Sequence, residues 1–120
     1  LDVELPDGCG DADYLQALDD ALDAAWKRQT AAPPELAFYL AGADPHENDR
    51  LGRLKLSLEG LAERDRRVFG RLQRLRIPVA VSMAGGYNRD LATTVDIHRR
   101  TLEVAHAHWQ GWAAGKKPHG

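Results

Sequence analysis

Residues 36–44 read LAFYLAGAD, and this stretch decides the fold. Its first six residues form an almost continuous apolar run that ends at Gly42. A short run of this kind is typical of a strand that is covered on both faces, as in a parallel sheet. A second run of the same character spans residues 77–84 and is broken by Gly85 and Gly86. We therefore predict two buried strands.

Outward from these strands, the sequence alternates between strand and helix patterns. A period-two alternation predicts a further short strand at residues 1–5, stopped by turn residues. Helical spacing predicts two amphipathic helices, from Asp11 to Pro33 and from the N-cap Ser57 to Leu75, and a last helix is predicted from about Asp90 to Trp112. Because the crossovers are too long for hairpins, the pattern predicts an α/β fold with a parallel sheet and flanking helices.

The composition is that of an ordinary globular chain. Its 120 residues suit one domain, and 43% hydrophobic with 28% charged residues exclude wholesale disorder. A net charge of −2 gives no bulk attraction to nucleic acid or to an anionic membrane, so we expect neither as a direct partner. The arginines of the second helix are interpreted as a solvated, partly ion-paired face. A single cysteine, Cys9, favours a reducing compartment, and we expect the cytoplasm.

Function is expected in the loops that leave the carboxyl ends of parallel strands, here residues 6–11, 42–56 and 85–90. Asp44 directly follows a buried strand that fixes its Cα, which makes it a candidate metal ligand; a turn-capping role is the alternative. Tyr87 follows two glycines and is a candidate donor to charge developing on a substrate oxygen. The alternative is a turn that only ends the strand.

Two Asp-x-His pairs are weaker candidates for a metal site. Residues two apart on a helix point about 200° apart around its axis, so Asp96 and His98 should not share an ion. His46 follows Asp44 in the second loop but has no third converging ligand. A solvated loop explains His46 adequately.

Short motifs follow one another along the chain in a definite order. They are LPDG at 5–8 with Gly10, Asp11 and Tyr14, AGAD at 41–44, DRLG at 49–52, and GGY at 85–87. Their order and spacing resemble the C-terminal part of the histone deacetylase family. The resemblance extends to about Trp109.

The resemblance implies a zinc-dependent amide hydrolase with an arginase-like, three-layer α/β fold. Its substrates would be acetylated lysine or related small acylated amines. The resemblance implies that Asp44 binds zinc and that Tyr87 donates a hydrogen bond to the scissile carbonyl. It also implies that Leu51 lines the substrate channel, with Gly86 near the channel wall. Residues 1–112 would form the C-terminal part of a deacetylase-like domain, and residues 113–120 a flexible tail.

The chain also departs from the family. The family's tandem histidine pair and its Asp-x-His zinc pair lie upstream of the matched region, and Ala84 stands where the best-known members have glycine. We therefore expect a deacetylase fragment that is inactive alone and self-associates through an exposed sheet edge. The alternatives are a non-enzymatic binding or scaffold module derived from a deacetylase, and a flavodoxin-like ligand-binding domain.

Overall fold

The computed structural model describes residues 1–49, 52–86 and 90–115. Within these ranges, helices and strands alternate in the order α1 (Asp11–Gln29), β1 (Ala37–Gly42), α2 (Leu58–Arg74), β2 (Val79–Ala84) and α3 (Leu91–Gly115). β1 and β2 pair in parallel, from Ala37 opposite Val79 to Gly42 opposite Ala84. α2 is the crossover between them, so the predicted α/β class with a parallel sheet is confirmed.

The strand predicted at residues 1–5 is not formed. These residues are irregular and mostly exposed, and the sheet in the described part of the chain consists of β1 and β2. An alternating pattern shows which side chains can share an apolar face, but a strand also needs a neighbour to receive its backbone hydrogen bonds. No such neighbour lies beside residues 1–5 in the described ranges.

α2 is the best-packed helix of the chain. Ser57 caps its first turn as predicted, because the Ser57 hydroxyl accepts a hydrogen bond from the Gly60 N–H at 2.9 Å. Leu61, Val68 and Phe69 are buried on one face of this helix, whereas no residue of α1 is fully buried. α2 therefore organises the packing of the other helices.

The first two predicted functional loops lie against each other. The Gly8 N–H donates to the Arg53 carbonyl at 2.7 Å, and the Lys55 N–H donates to the Cys9 carbonyl at 2.9 Å. The Asp11 carboxylate accepts from the Ser57 N–H at 2.8 Å and from its hydroxyl at 2.5 Å. These bonds join the start of α1 to the start of α2 and bury the Cys9 thiol, whose residue is 4% exposed.

The hydrophobic core lies at the carboxyl end of β1. Its buried members are Ala43, Leu56, Leu61 and Ile97, with Tyr14, Leu54 and Leu58 packed against them. The sheet is covered unevenly, since Phe38 is 74% exposed and Leu40 is 67% exposed. The strand ends are therefore well supported, while part of the sheet surface is bare.

α3 runs through Gly115, three residues beyond the end predicted for it. Residues 113–115 are thus helical, and the remainder of the predicted tail lies outside the described residues. Its flexibility stays a prediction. None of the described helices combines the length and apolarity needed to cross a lipid bilayer.

Candidate functional site at the carboxyl ends of the strands

Asp44 lies at the tip of β1, where the chain leaves the sheet. The Ala43 N–H donates to the Ala84 carbonyl at 3.1 Å, which continues the sheet pairing one residue past the strand. The Ala43 carbonyl then accepts from the His46 N–H at 3.1 Å and closes a tight turn. This turn exposes the Asp44 side chain.

The Asp44 carboxylate rests between the ends of both strands. A Cβ atom at Gly42 would lie 2.5 Å from Asp44 Oδ1, and one at Gly85 would lie 2.8 Å from the same oxygen. Gly85 also has φ +59°, a left-handed conformation that side chains rarely adopt. Glycine at both positions therefore leaves the space that the carboxylate occupies. We call Gly42, Asp44, Gly85 and Gly86 the strand-end site.

Gly86 joins the strand-end site to α3. Its φ is +121°, and a Cβ there would lie 2.9 Å from Thr94 Cγ2 and 3.2 Å from Ala43 Cβ. The turn after β2 is thus packed onto the helix that follows it. The predicted place of Gly86 near a channel wall stays a prediction. Leu51 and Tyr87 lie outside the described residues, although Gly85 brings the chain beside Asp44 two positions before Tyr87.

The interpretation of His46 as part of a solvated loop is wrong. His46 is 4% exposed and Asp49 is 8% exposed. His46 Nδ1 accepts from the Asn48 N–H at 3.2 Å, and Asp49 Oδ2 accepts from the Gly52 N–H at 2.6 Å. Both side chains satisfy the backbone of their own loop, which is how a tight polar turn can be buried.

Asp96 and His98 do not converge, as the helical spacing predicts. Asp96 accepts from Arg99 at 2.5 Å and from Arg100 at 2.9 Å, and these hydrogen bonds lower the pKa of its carboxyl. His98 faces the other way, with Nε2 3.7 Å from the place a Gly86 Cβ would take. Its buried Nδ1 has no hydrogen-bond partner in the described ranges.

A buried polar cluster lies behind the strand-end site. Asp65 Oδ1 accepts from the Tyr39 hydroxyl at 2.5 Å and from Arg64 Nε at 3.0 Å, and its Oδ2 accepts from the Thr101 hydroxyl at 2.6 Å. Arg64 is 4% exposed and Asp65 is 1% exposed. We call Tyr39, Arg64, Asp65 and Thr101 the Asp65 cluster. It ties β1, α2 and α3 together.

The prediction that the arginines of α2 form a solvated face is wrong for Arg64. Besides its contacts with Asp65, Arg64 Nη1 donates to the Gly42 carbonyl at 2.6 Å. The other arginines follow the prediction, with Arg66, Arg67 and Arg71 in ion pairs with acidic side chains nearer the surface. The missed signal is spacing: Arg64 and Asp65 fall between Leu61 and Val68 on the buried side of the helix.

The ionisation of the Asp65 cluster follows from its burial. Burial raises the pKa of the Tyr39 hydroxyl, and the nearby Arg64 guanidinium offsets only part of that rise. Burial lowers the pKa of Arg64, but the negative charge of Asp65 beside it opposes this effect and the net direction is upward. The phenol therefore stays neutral and the guanidinium stays charged. Tyr39 acts as a donor within the fold.

The described residues offer one candidate metal ligand. No group of three or more His, Cys, Asp or Glu side chains converges within the described ranges. An exposed carboxylate oxygen at a rigid strand tip fits one ligand position of a zinc ion, but a catalytic zinc site usually needs about three protein ligands. The described residues therefore supply one of these ligands.

The fold and the strand-end site define a parallel α/β protein with its candidate chemistry at the carboxyl ends of the strands. The sequence matches the histone deacetylase domain family over residues 1–102, so the chain belongs to that family. The resemblance is confirmed, and the flavodoxin-like alternative gives way to it.

Two curated relatives show how much of such a protein the chain represents. It is 38% identical over 98 residues to an uncharacterized protein of Picosynechococcus sp., which covers 82% of this chain and 32% of that protein. It is 37% identical over 93 residues to histone deacetylase 2 of Arabidopsis thaliana, which covers 78% of this chain and 23% of that protein. The chain thus spans about a third or less of the length of these relatives.

Proposed function

We propose that this chain is part of a zinc-dependent deacetylase that hydrolyses acetylated lysine or a related acylated amine. The observation that carries the proposal is the position of the Asp44 carboxylate, which is exposed between the glycines that end β1 and β2. Both oxygens of the Asp65 carboxylate accept hydrogen bonds within the fold. In contrast, no hydrogen bond or ion pair to the Asp44 carboxylate is found among the described residues. Membership of the histone deacetylase family supports the same reaction class.

In this proposal, Asp44 supplies one zinc ligand. When bound, the metal would polarise the scissile carbonyl and lower the pKa of water. Tyr87 would donate a hydrogen bond to the carbonyl oxygen as negative charge develops on it. Leu51 and Gly86 would shape the channel that admits the acylated side chain. The proposal is supported by the position of Gly85, which lies beside the Asp44 carboxylate and precedes Tyr87 by two residues in the sequence.

We further propose that the chain has no activity alone. One carboxylate leaves a zinc ion mostly hydrated and weakly held, because affinity grows with the number of converging, deprotonated ligands. The family's tandem histidines and its Asp-x-His pair would complete the site in a longer protein.

The test compares the isolated chain with a longer protein that contains it. With an acetyl-lysine peptide and added zinc, the isolated chain should give no acetate. In the longer protein, Asp44→Ala should abolish stoichiometric zinc, and Tyr87→Phe should keep zinc but lose most turnover. Asp20→Ala, an exposed aspartate of α1, is the matched control and should change neither. Turnover by the isolated chain, or full zinc occupancy without Asp44, would contradict the proposal.

We also propose that the isolated chain self-associates. Phe38 and Leu40 are 74% and 67% exposed on the same face of β1, and bare apolar strands tend to pair or stack. This surface equally suits the non-enzymatic alternative, a module that binds a protein partner. Light scattering should give a dimer or larger species, and Phe38→Lys should shift it towards monomer. A monomer for the unaltered chain would contradict self-association.

We propose that the protein resides in a reducing compartment. A chain with one cysteine, buried between two loops, suits a reducing compartment, and we propose the cytoplasm. Fractionation of cells that express the longer protein tests this, and recovery outside the cytoplasm would contradict it.

A further inference from the structure

The peptide unit between Gly42 and Ala43 is held from both sides. Its carbonyl accepts from Arg64 Nη1 at 2.6 Å, and its N–H donates to the Ala84 carbonyl at 3.1 Å. Asp44 begins one residue later. The plane of this peptide sets the direction in which the chain leaves β1, and therefore the direction in which the Asp44 side chain points.

The guanidinium that grips this peptide is itself fixed. Arg64 Nε donates to Asp65 Oδ1 at 3.0 Å, and Nη2 lies 3.0 Å from the same oxygen. Asp65 is anchored by the Tyr39 and Thr101 hydroxyls on two other elements. A planar guanidinium whose Nε–H is held by a carboxylate presents its other N–H groups in a set direction.

We infer that Arg64 is a positioning residue for Asp44, acting through the carbonyl of Gly42. The inference rests on the proposed function, since a position for the carboxylate matters to the extent that it serves a ligand. Among the described residues, the hydrogen bonds and ion pair of Arg64 go to Asp65 and to the Gly42 carbonyl and not to the Asp44 carboxylate. Its effect passes through the backbone, from the Asp65 cluster to the strand-end site.

Arg64→Lys is the informative variant. A lysine keeps the positive charge beside Asp65, but its ammonium is a point donor and cannot reproduce the two-sided grip on Asp65 and on the Gly42 carbonyl. Arg67→Lys is the matched control. Arg67 also lies on α2 and is ion-paired, with Glu63 and Asp19, but it faces α1 rather than the sheet.

The first readout is amide hydrogen exchange of the full chain. In Arg64→Lys, the Ala43 amide should exchange about tenfold faster relative to the Val68 amide, because loss of a charged hydrogen bond frees the peptide that carries it. In Arg67→Lys, the ratio of the two rates should stay unchanged. A uniform acceleration of all amides in Arg64→Lys would reduce Arg64 to a stabilising residue and overturn the inference.

The second readout is the binding of Co²⁺, followed by paramagnetic broadening of the Asp44 and Gly85 amides. The unaltered chain should show weak broadening that Asp44→Asn abolishes. Arg64→Lys should weaken it about tenfold, the low end for groups that orient a metal ligand, and Arg67→Lys should not. Equal Co²⁺ binding in Arg64→Lys and the unaltered chain would overturn the inference. Absence of Asp44-dependent binding in the unaltered chain would instead contradict the proposed function, and the exchange ratio would still decide the role of Arg64.

A measurement on the unaltered chain guards against a variant that fails to fold. In nitrogen-15 spectra, the Arg64 guanidinium should show separate, slowly exchanging Nη resonances, because rotation about its Nε–Cζ bond is hindered by partners on both sides. The exposed Arg74 should show averaged resonances. An averaged Arg64 signal would mean that the guanidinium does not grip the Gly42 carbonyl, and the inference would fail without any substitution.

Discussion

The Asp65 cluster and the strand-end site each contain an aspartate, and the two aspartates have opposite fates. Asp65 is 1% exposed, and its oxygens accept from Tyr39, Arg64 and Thr101. Asp44 is exposed, and glycines border its carboxylate, which accepts no hydrogen bond from the described part of the chain. The comparison teaches that the fold uses the hydrogen-bonding capacity of the Asp65 carboxylate, whereas the Asp44 carboxylate accepts no hydrogen bond from the described residues and can serve the ligand role proposed above.

Removal of the Asp65 carboxylate should have the largest effect on the unfolding free energy. Asp65→Ala leaves the buried Arg64 charge without its counterion and removes the acceptor for two hydroxyls. Loss of one partner of a buried ion pair costs about 3–5 kcal/mol. Urea denaturation should therefore show a chain that is largely unfolded or strongly destabilised.

Asp23→Ala is the matched control for that loss. It breaks the pair between Asp23 and Arg71, in which Asp23 is 56% exposed, and should cost at most about 1 kcal/mol. Equal losses of unfolding free energy in the two variants would show that Asp65 is no more structural than a surface aspartate.

The glycines of the strand-end site come next. Gly85→Ala places a methyl group 2.8 Å from Asp44 Oδ1 in a backbone with φ +59°, and should cost about 2 kcal/mol. Gly8→Ala isolates the backbone contribution, because Gly8 has φ +77° with nothing within 4 Å of the added atom. That variant should cost about 1 kcal/mol. Thermal denaturation measures both losses of stability. A loss for Gly8→Ala as large as that for Gly85→Ala would show that crowding at Asp44 does not contribute to the cost of Gly85→Ala.

Substitution of a glycine outside the Asp65 cluster and the strand-end site should stabilise the chain rather than destabilise it. Gly70 lies within α2, and a Cβ there would meet only His108 Cε1 at an ordinary 3.9 Å. Gly70→Ala should stabilise the chain by up to about 1 kcal/mol through helix propensity. Gly60→Ala, in the same helix, should destabilise it, because its Cβ would collide with the Asp11 carboxylate. Chemical denaturation of the two variants should give changes of opposite sign.

Removal of the Asp44 carboxylate should have the smallest effect on the unfolding free energy. Asp44→Ala removes an exposed side chain with no donor bound to it among the described residues, so the unfolding free energy should change by no more than about 0.5 kcal/mol. A loss comparable to that of Asp65→Ala in the same urea series would erase the contrast between the two aspartates.

Much of the fold could be predicted from local patterns. Two apolar runs, a serine before a helix and paired glycines after a strand each act through the nearby backbone, and β1, α2 and β2 formed where those patterns lay. Residues 1–5 show the limit, because an alternating pattern does not supply the neighbouring strand that completes it. The position of Asp44 at a strand tip was predictable for the same local reason.

The buried polar residues were harder to foresee. Arg64 sits among several arginines, and its partners Asp65, Tyr39 and the Gly42 carbonyl come from different elements, so their meeting depends on tertiary packing. His46 and Asp49 lie in a stretch rich in polar residues, and their burial depends on hydrogen bonds to Asn48 and Gly52 that the pattern of hydropathy does not contain. In the sequence, only the helical phase of Arg64 relative to Leu61 and Val68 indicates that this arginine is buried.

The burial of Cys9 has a practical consequence. As the single thiol of the chain, it lies where the loop before α1 is hydrogen-bonded to the loop before α2. A disulfide reagent can reach it only when those loops separate, so its labelling rate measures how often this end of the molecule opens. Cys9 is thus a natural probe of local opening beside the candidate site, and no cysteine needs to be introduced for this measurement.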